Sequence, residues 1–205
     1  SMLALALYAE WLLWLIYVEG IILAAGLSKR AQTYKMTLKV GEKTILGSCI
    51  EKMGSVCSRI IVVGGYKFEY ILPIIKMYPK AELIFNNNYE HGMYSSIKKG
   101  LEHIKSDRFF LTPGDYPLIS SDVYKIMLDT CGDIIIPTYK GQKGHPVLMK
   151  SYLIKEILQN TKCSNLREFI DSKKPIKIEV PYKGILMDVD TMEDYIKVCK
   201  YYSLN

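Results

Sequence analysis

Continuous apolar runs alternate with helical periodicities along most of this 205-residue chain. No polar residue interrupts the runs IILAA, IIVV, FFL and III, a pattern typical of strands that are buried on both faces of a sheet. Strands that alternate with helices indicate an α/β sandwich with three layers and a mostly parallel central sheet. We predict strands at residues 21–25, 59–64, 82–86, 108–112, 133–137, 146–149, 176–180 and 185–189.

Apolar residues at helical spacing predict three of the helices between and after these strands. The last helix should begin after Thr191, because Asp194 stands three residues further on and completes a capping pair. The predicted apolar faces comprise Met93, Ile97, Leu101 and Ile104 in one helix, Ile154, Ile157 and Leu158 in a second, and Met192, Ile196 and Cys199 in the last.

The first seventeen residues are almost entirely apolar, with Glu10 as the one charged residue. The run is shorter than the roughly 20 residues of a spanning helix, and no cation precedes Lys29, so neither a firm membrane association nor a signal peptide is expected. An extra amphipathic or interface helix, a weak anchor and sequence upstream of the functional start remain open. We therefore predict an extension at 1–17, through which a homodimer would form if it is an interface helix, and a single domain at 18–205.

The composition is that of a soluble globular protein, with 49% hydrophobic and 23% charged residues. The net charge of +6 is spread along the chain without an arginine-rich run, so no nucleic-acid partner is expected, whereas a small polyanionic substrate such as a nucleotide would fit. The five cysteines form no CxxC pair, and their odd number argues against a disulfide framework. We expect them to be reduced, mostly core residues of a cytoplasmic protein.

Small residues and cations follow the first predicted strand, in the stretch GIILAAGLSKRAQTYK. A turn at Ala24, Ala25 and Gly26 would leave backbone N–H groups open to phosphate oxygens, and Arg30 and Lys35 would add full charges. The stretch matches neither the dinucleotide-binding nor the Walker fingerprint. A plain turn with solvated cations is the alternative.

Carboxylates follow two later predicted strands, at the sheet edge where ligands of α/β proteins bind. Asp115 ends the run FFLTPGD, and an acid there suits a hard cation such as Mg²⁺. Asp188 and Asp190 alternate, so in an extended segment they share one face. The alternatives are a turn role for Asp115 and a helix-capping role for Asp190.

Two polar loops complete the candidate chemistry. The stretch PTYKGQKGHPVLM predicts a flexible basic loop that closes over an anionic acceptor and binds it through His145, although a lone histidine is as often structural. The stretch FNNNYEHGMYSSIKKG places amides and hydroxyls after a strand, where they suit a base edge or a ribose, or else a simple turn and helix cap.

In their order and spacing these motifs resemble those of the molybdopterin-type nucleotidyltransferases, over residues 20–195. They are most similar to the molybdenum cofactor cytidylyltransferases that serve molybdenum hydroxylases. The resemblance implies a Rossmann-like fold of the nucleotide-diphospho-sugar transferase type. It also implies that CTP and the terminal phosphate of the molybdopterin cofactor react over Mg²⁺, and that a molybdenum hydroxylase is the client. A sugar-1-phosphate or guanylyl transferase on the same scaffold, or a non-catalytic cofactor carrier, is the alternative.

The resemblance also implies a role for each matching residue. The catalytic residues would be Arg30, Lys35 and Asp115, and the metal ligands Asp115 and Asp190, with Asp188 less favoured. The nucleotide would be bound by Leu23, Ala24, Ala25, Gly26, Ser28, Asn86 and Ser96, and the acceptor by Lys143, Gly144, His145 and Pro146.

Three positions distinguish this chain within that pattern. Related guanylyltransferases usually read LAGG, so Ala25 favours a pyrimidine nucleotide. Ala31-Gln32 stands where the family usually has Met-Gly, which implies an altered loop path because glutamine lacks the conformational freedom of glycine. Met192 replaces a proline in the first turn of the last helix, where proline is favoured but not required.

Overall fold

The computed structural model describes residues 17–26 and 34–204 of the chain. Over these residues it has ten strands and seven α-helices. The strands are β1 (Val18–Ala24), β2 (Lys39–Val40), β3 (Lys43–Thr44), β4 (Arg59–Gly64), β5 (Ala81–Phe85), β6 (Arg108–Pro113), β7 (Ile134–Tyr139), β8 (Gln142–Lys143), β9 (Val147–Lys150) and β10 (Ile176–Glu179). The helices are α1 (Ile45–Gly54), α2 (Phe68–Ile75), α3 (Met93–Leu101), α4 (Ser121–Leu128), α5 (Ile154–Gln159), α6 (Leu166–Ser172) and α7 (Met192–Leu204).

The central sheet has the strand order β10-β7-β9-β6-β1-β4-β5, with β8 paired to β7. Strand β1 lies between β6 and β4 and is parallel to both, and the pairs β4–β5 and β10–β7 are also parallel. Strand β9 is antiparallel to β6 and β7, and β8 is antiparallel to β7. The predicted mostly parallel sheet is therefore confirmed.

Helices cover both faces of this sheet. Successive side chains of a strand point to opposite faces, and Ile22 and Val62 belong to one buried cluster while Ile21 and Val63 belong to another. Helices α1, α2 and α4 contribute to the first cluster, and α3, α5 and α6 contribute to the second. The result is the three-layer sandwich that the continuous apolar runs predicted.

A buried carboxylate lies at the amino end of β1. Glu19 is fully buried and accepts hydrogen bonds from the backbone N–H groups of Lys105 (2.5 Å) and Ser106 (2.9 Å) and from Arg59 Nη1 (2.8 Å). Burial alone would raise the pKa of Glu19, but these hydrogen bonds outweigh it and hold the pKa below its usual value. The charge therefore fixes the loop before β6 to the start of β1.

The strand predicted at 185–189 is wrong. Residues Lys183–Leu186 form a 3₁₀ turn, and the segment after it is not part of the sheet. Its backbone is engaged elsewhere, because the Ile185 carbonyl accepts from the His145 N–H (3.0 Å) and the Val189 N–H donates to the Asp115 carbonyl (2.9 Å). These bonds hold the segment against the carboxyl edge of the sheet instead of within it.

The cap of the last helix is confirmed, whereas its predicted apolar face is wrong at Met192 and Ile196 and right at Cys199. The Thr191 N–H donates to Asp194 Oδ2 (2.9 Å), and the Asp194 N–H donates to Thr191 Oγ1 (3.2 Å). Met192 and Ile196 are 46% and 64% exposed. The helix packs onto the domain through Tyr195, Val198 and Cys199 instead. The hydroxyl of Tyr195 also donates a hydrogen bond to the Lys39 carbonyl (2.6 Å).

The expectation that the cysteines are mostly core residues is confirmed for four of the five, which lie in the apolar clusters or pack against them. Cys49 and Cys57 are buried, whereas Cys163 and Cys199 are half-buried and Cys131 is exposed. All five are free. Across residues 17–26 and 34–204, none of the helices has the length and apolarity that crossing a membrane requires.

Candidate active site

The parallel pairing of β1 and β6 places two predicted motifs next to each other. Leu23 is opposite Pro113 in the register, and the Gly114 N–H donates to the Leu23 carbonyl (2.8 Å). Asp115 therefore follows directly beside the end of β1 and the small residues after it. This is the carboxyl edge at which parallel sheets bind ligands.

Lys35 lies between two of the predicted carboxylates. Its Nζ is 2.7 Å from Asp115 Oδ2 and 3.7 Å from Asp190 Oδ1. The Lys35 and Asp115 side chains are only 12% and 16% exposed, so the ion pair is partly withdrawn from water. A 3₁₀ turn at Lys35–Thr37 positions the lysine, and the turn after β6 positions Asp115. The structure thus brings together three residues that are far apart in the sequence.

The carboxylates at this edge have unused capacity for a cation. Asp115 Oδ1 is buried and has no hydrogen-bond partner in the described part of the chain. Burial and the negative charge of Asp115 raise the pKa of Asp188 above its usual value. A divalent cation would satisfy the buried oxygen and offset the repulsion. The set fits Mg²⁺, which is commonly bound by one or two carboxylates together with substrate phosphates.

The described residues alone do not complete a metal site. Residues 17–26 and 34–204 contain no group of three or more histidine, cysteine, aspartate or glutamate side chains arranged to hold a metal ion. Asp115 and Asp190 would therefore supply only part of the coordination. The remaining ligands would have to be water molecules and phosphate oxygens of the substrate.

The small residues after β1 are closely surrounded on one side and open on the other. Ala24 and Ala25 are buried, whereas Gly26 is exposed, and a Cβ atom built on Gly26 would meet no atom of the described residues within 4 Å. A Cβ built on Gly65 would lie 3.0 Å from the Cβ of Ala25, so the turn after β4 packs tightly against this stretch. The predicted Ser28 and Arg30, with Ala31 and Gln32, lie outside the described residues.

Asn86 and Ser96 come together as one buried polar group. Asn86 Nδ2 donates to Ser96 Oγ (3.0 Å) and Ser95 Oγ (2.9 Å), and Asn86 Oδ1 accepts from the Asn88 N–H (3.0 Å). The Asn86 N–H also donates to the Gly64 carbonyl (2.9 Å). With its amide engaged in this way, Asn86 shapes the loop after β5. Its contact with a nucleotide stays a prediction.

The loop that contains Lys143 to Pro146 is more ordered than the flexible loop we predicted. Strand β8 turns back onto β7, and the Gly144 N–H donates to the Pro137 carbonyl (2.9 Å). A Cβ on Gly144 would lie 2.4 Å from the Ile185 carbonyl oxygen, so only glycine fits there. Lys143 pairs with Asp171 of α6 (2.6 Å). These contacts fix the path of the backbone into His145 and Pro146.

His145 is a neutral side chain beside the carboxylates. Burial lowers its pKa to about 4, although the charge of Asp115 acts in the opposite direction. Its ring lies 4.6 Å from the ring of Tyr116, the neighbour of Asp115. Its Nδ1 is buried without a hydrogen-bond partner among the described residues. Near neutral pH it can bind a ligand without bringing a charge.

A cavity of about 500 Å³ opens beside His145, between the sheet and helices α3 and α6. Its lining includes Leu23, Tyr94, Pro113, Lys143, His145 and Asp171. Tyr94 and the residues of α6 were not among the predicted site residues. Tyr94 could have been predicted, because it lies in the same GMYSS motif as Ser96, whereas the sequence of α6 is that of an ordinary amphipathic helix.

Comparisons with known proteins identify relatives of this chain. The chain is 29% identical to a molybdenum cofactor cytidylyltransferase of Escherichia coli (strain K12), over 91% of this chain and 97% of the relative. It is 27% identical to a probable molybdenum cofactor guanylyltransferase of Natranaerobius thermophilus, over 90% and 96%. A crystal structure of a Mycobacterium tuberculosis H37Rv protein in complex with manganese has a TM-score of 0.72, at 18% identity over 90% and 98% of the two chains.

The model of the MobA-like NTP transferase domain matches residues 20–176. This range runs from the first strand of the sheet into β10, and it contains Lys35, Asp115 and His145. The predicted fold of the nucleotide-sugar transferase type is confirmed by the solved structures of nucleotidyltransferases that share it. The chain belongs to the MobA-like NTP transferase domain family and is a nucleotidyltransferase.

Proposed function

We propose that the protein transfers CMP from CTP to the terminal phosphate of the molybdenum cofactor and releases pyrophosphate. The observation that carries the proposal is Lys35, held between Asp115 and Asp190 at the carboxyl edge of the sheet, with a buried Asp115 oxygen left for a cation. The names of the curated relatives support the molybdenum cofactor as acceptor.

The transfer needs positioning and charge neutralisation more than acid–base catalysis. An oxygen of the acceptor phosphate attacks the α-phosphorus of CTP in line, a new P–O bond forms, and the bond to pyrophosphate breaks. The acceptor phosphate is already ionised near neutral pH, so no side chain has to remove a proton. Lys35 neutralises negative charge on the phosphoryl oxygens, and Arg30, Ser28 and the backbone of residues 24–26 would bind the triphosphate.

Asp115 and Asp190 would hold Mg²⁺. When bound, the ion would supply positive charge that stabilises the negative charge developing on the phosphate oxygens. The manganese complex of a protein with the same fold is a further reason to expect a divalent-metal reaction. Before the substrates bind, Lys35 offsets the carboxylate charge of Asp115 through their 2.7 Å ion pair.

We favour CTP over GTP on the basis of Ala25. The relative with the higher identity is the cytidylyltransferase at 29%, compared with 27% for the guanylyltransferase, so identity alone gives little preference. Ala25 replaces the glycine that is usual in guanylyltransferases, and its Cβ is packed against Gly65 and the turn after β4. The additional methyl group of alanine is the reason for which we expect the smaller pyrimidine base.

The decisive experiment measures pyrophosphate release with CTP, GTP, ATP or UTP, in the presence of Mg²⁺ and molybdenum cofactor. We expect release with CTP alone and its loss on chelation of the metal. Asp115→Asn should lower turnover by about two orders of magnitude or more, because it removes a ligand of the ion that stabilises the transition state. Asp122→Asn is the matched control, since Asp122 is an exposed aspartate that pairs with Lys125 on α4.

Each alternative has its own signature in this assay. Release with GTP alone would indicate a guanylyltransferase, and release with a sugar 1-phosphate in place of the cofactor would indicate the sugar-nucleotide alternative. Cofactor binding without release from any nucleotide would indicate a carrier. Near-normal turnover of Asp115→Asn would refute the metal assignment.

The proposal also includes the client enzyme, the compartment and the oligomeric state. The cytosine-dinucleotide product would serve a molybdenum hydroxylase client in the cytoplasm. A homodimer through residues 1–17 stays a prediction, and residues 1–16 lie outside the described part of the chain.

A further inference from the structure

Tyr34 is a buried tyrosine that directly precedes Lys35 in the sequence. It is 7% exposed and belongs to the buried cluster that also contains residues of α1, α2 and α4. Its hydroxyl donates to the carbonyl of Ala24, the last residue of β1 (3.3 Å). Burial and the negative charge of Glu69 raise the pKa of Tyr34, so the hydroxyl keeps its proton near neutral pH and remains a hydrogen-bond donor.

The backbone of Tyr34 begins the 3₁₀ turn that carries Lys35. The Tyr34 carbonyl accepts hydrogen bonds from the Thr37 N–H (3.1 Å) and from Thr37 Oγ1 (2.9 Å). The ring of Tyr34 lies 6.0 Å from the ring of Tyr70 in α2. Tyr34 therefore links the two structures, because its side chain contacts β1 and α2 while its backbone is part of the turn.

This link bears on Lys35 because a lysine side chain has many rotamers and can be placed accurately only if its backbone is held. Lys35 Nζ lies 2.7 Å from Asp115 Oδ2, and the lysine side chain is only 12% exposed. Ala31-Gln32, where the chain departs from the family pattern, stands between Ala24 and Tyr34 in the sequence. The bond from Tyr34 to Ala24 holds the Lys35 turn to β1 directly.

We propose that Tyr34 is a positioning residue for Lys35, and that its hydroxyl fastens the turn that carries Lys35 to the end of β1. This inference rests on the proposed function only for the role of Lys35 in neutralising charge on the phosphoryl oxygens. Tyr34 acts through Lys35 and does not contact the substrate. Phenylalanine at this position would keep the ring and lose the hydrogen bond, so the turn would move away from Asp115 more often.

The first experiment needs no substrate. The folded full chain is treated with a low concentration of acetic anhydride, and mass spectrometry compares acetylation of Lys35 with that of Lys125, whose side chain is 60% exposed. Loss of one hydrogen bond shifts a local opening equilibrium about 2- to 12-fold, so Tyr34→Phe should raise the relative labelling of Lys35 by that factor. Tyr195→Phe is the matched control, because its hydroxyl also donates to a backbone carbonyl, that of Lys39 (2.6 Å), and no change is expected.

The second experiment distinguishes positioning from a general loss of stability. In the pyrophosphate-release assay Tyr34→Phe should lower kcat about 2- to 12-fold when Lys35 is present. In the Lys35→Met background the same change should lower kcat less than about twofold, because residues that act through one another have non-additive effects. A residue that only stabilises the fold would lower kcat by the same factor in both backgrounds.

The outcomes separate this inference from the proposed function. Increased labelling of Lys35 in Tyr34→Phe, but not in Tyr195→Phe, supports the inference even if no nucleotide releases pyrophosphate, a result that would overturn only the proposed function. Unchanged labelling of Lys35 in Tyr34→Phe, or an equal increase in Tyr195→Phe, would overturn the inference. An equal loss of kcat with and without the Lys35 ammonium group would also overturn it.

Discussion

Replacing Glu19 with glutamine tests how the domain holds a buried charge at the start of its central strand. Glu19 Oε2 accepts two backbone N–H groups, and Oε1 accepts from Arg59 and, at 3.2 Å, from the hydroxyl of Tyr17. Glutamine has nearly the same shape, but its NH₂ group must face either the two backbone donors or Arg59. In each orientation a donor faces a donor.

The expected cost follows from the bonds that are lost. One or two charge-assisted hydrogen bonds, at about 1.5–3 kcal/mol each, predict that Glu19→Gln lowers the free energy of unfolding by about 1.5–6 kcal/mol. At about 2–4 °C per kcal/mol for a domain of this size, the melting temperature should fall by about 3–24 °C. Glu82→Gln is the matched control: it removes the other carboxylate that pairs with Arg59, but Glu82 is exposed, and about 1 kcal/mol or less is expected.

The stabilising effect of Glu19 should depend on pH in a definite direction. The folded pKa of Glu19 lies below the ordinary value of 4.5, so its stabilising effect is complete above pH 4.5 and is lost as the pH falls through the lower folded value. Denaturant unfolding at several pH values should show the gap between wild type and Glu19→Gln closing below pH 4.5. A gap under about 1 kcal/mol near neutral pH, or an equal loss in Glu82→Gln, would refute the reasoning.

Two further predictions concern the loop at the site. The pKa of His145 is lowered from 6.5 to about 4, so the unfolded chain binds more protons between these values and stability should fall as the pH drops from 6.5 toward 4, by up to about 3 kcal/mol. His145→Gln should flatten that dependence in denaturant unfolding, and an unchanged slope would contradict the burial of the ring. Gly144→Ala would bring a Cβ to 2.4 Å from the Ile185 carbonyl oxygen and should raise the KM for the cofactor about tenfold or more, with little change in the KM for CTP. Gly54→Ala, where the nearest contact is an ordinary 3.6 Å, is the control for that kinetic measurement, and an equal rise in both variants would count against a local effect.

The sheet and the main cluster of the site were predictable because they follow from local rules. Apolar runs identify buried strands, parallel strands bring their carboxyl ends to one edge, and Lys35 and Asp115 consequently meet there at 2.7 Å. The cap at Thr191 was predictable for the same reason, since it depends on residues three positions apart.

The remainder depends on contacts that no local pattern encodes. Residues 185–189 are mostly apolar, like a buried strand, but their backbone groups bind His145 and Asp115 instead of a neighbouring strand. The exposed face of α7 was mistaken for the buried one because Met192 and Ile196 are apolar, while the packing is decided by Tyr195 and Val198. Tyr94 and His145 line one cavity because the fold brings α3 close to the loop before β9, which no local pattern in the sequence shows.

Strand β9 fixes the distance between His145 and the opposite end of the sheet. At one end the Lys150 and Ser151 N–H groups donate to the Asp133 and Asp107 carbonyls, and at the other the His145 N–H donates to Ile185. Because hydrogen bonds hold both ends, the length of this four-residue strand determines where His145 lies. Inserting or deleting one residue in β9 would move His145 by one strand position and reverse the direction of its side chain. The number of residues in β9 therefore determines the position of His145. Insertions and deletions would test this requirement, whereas substitutions would not.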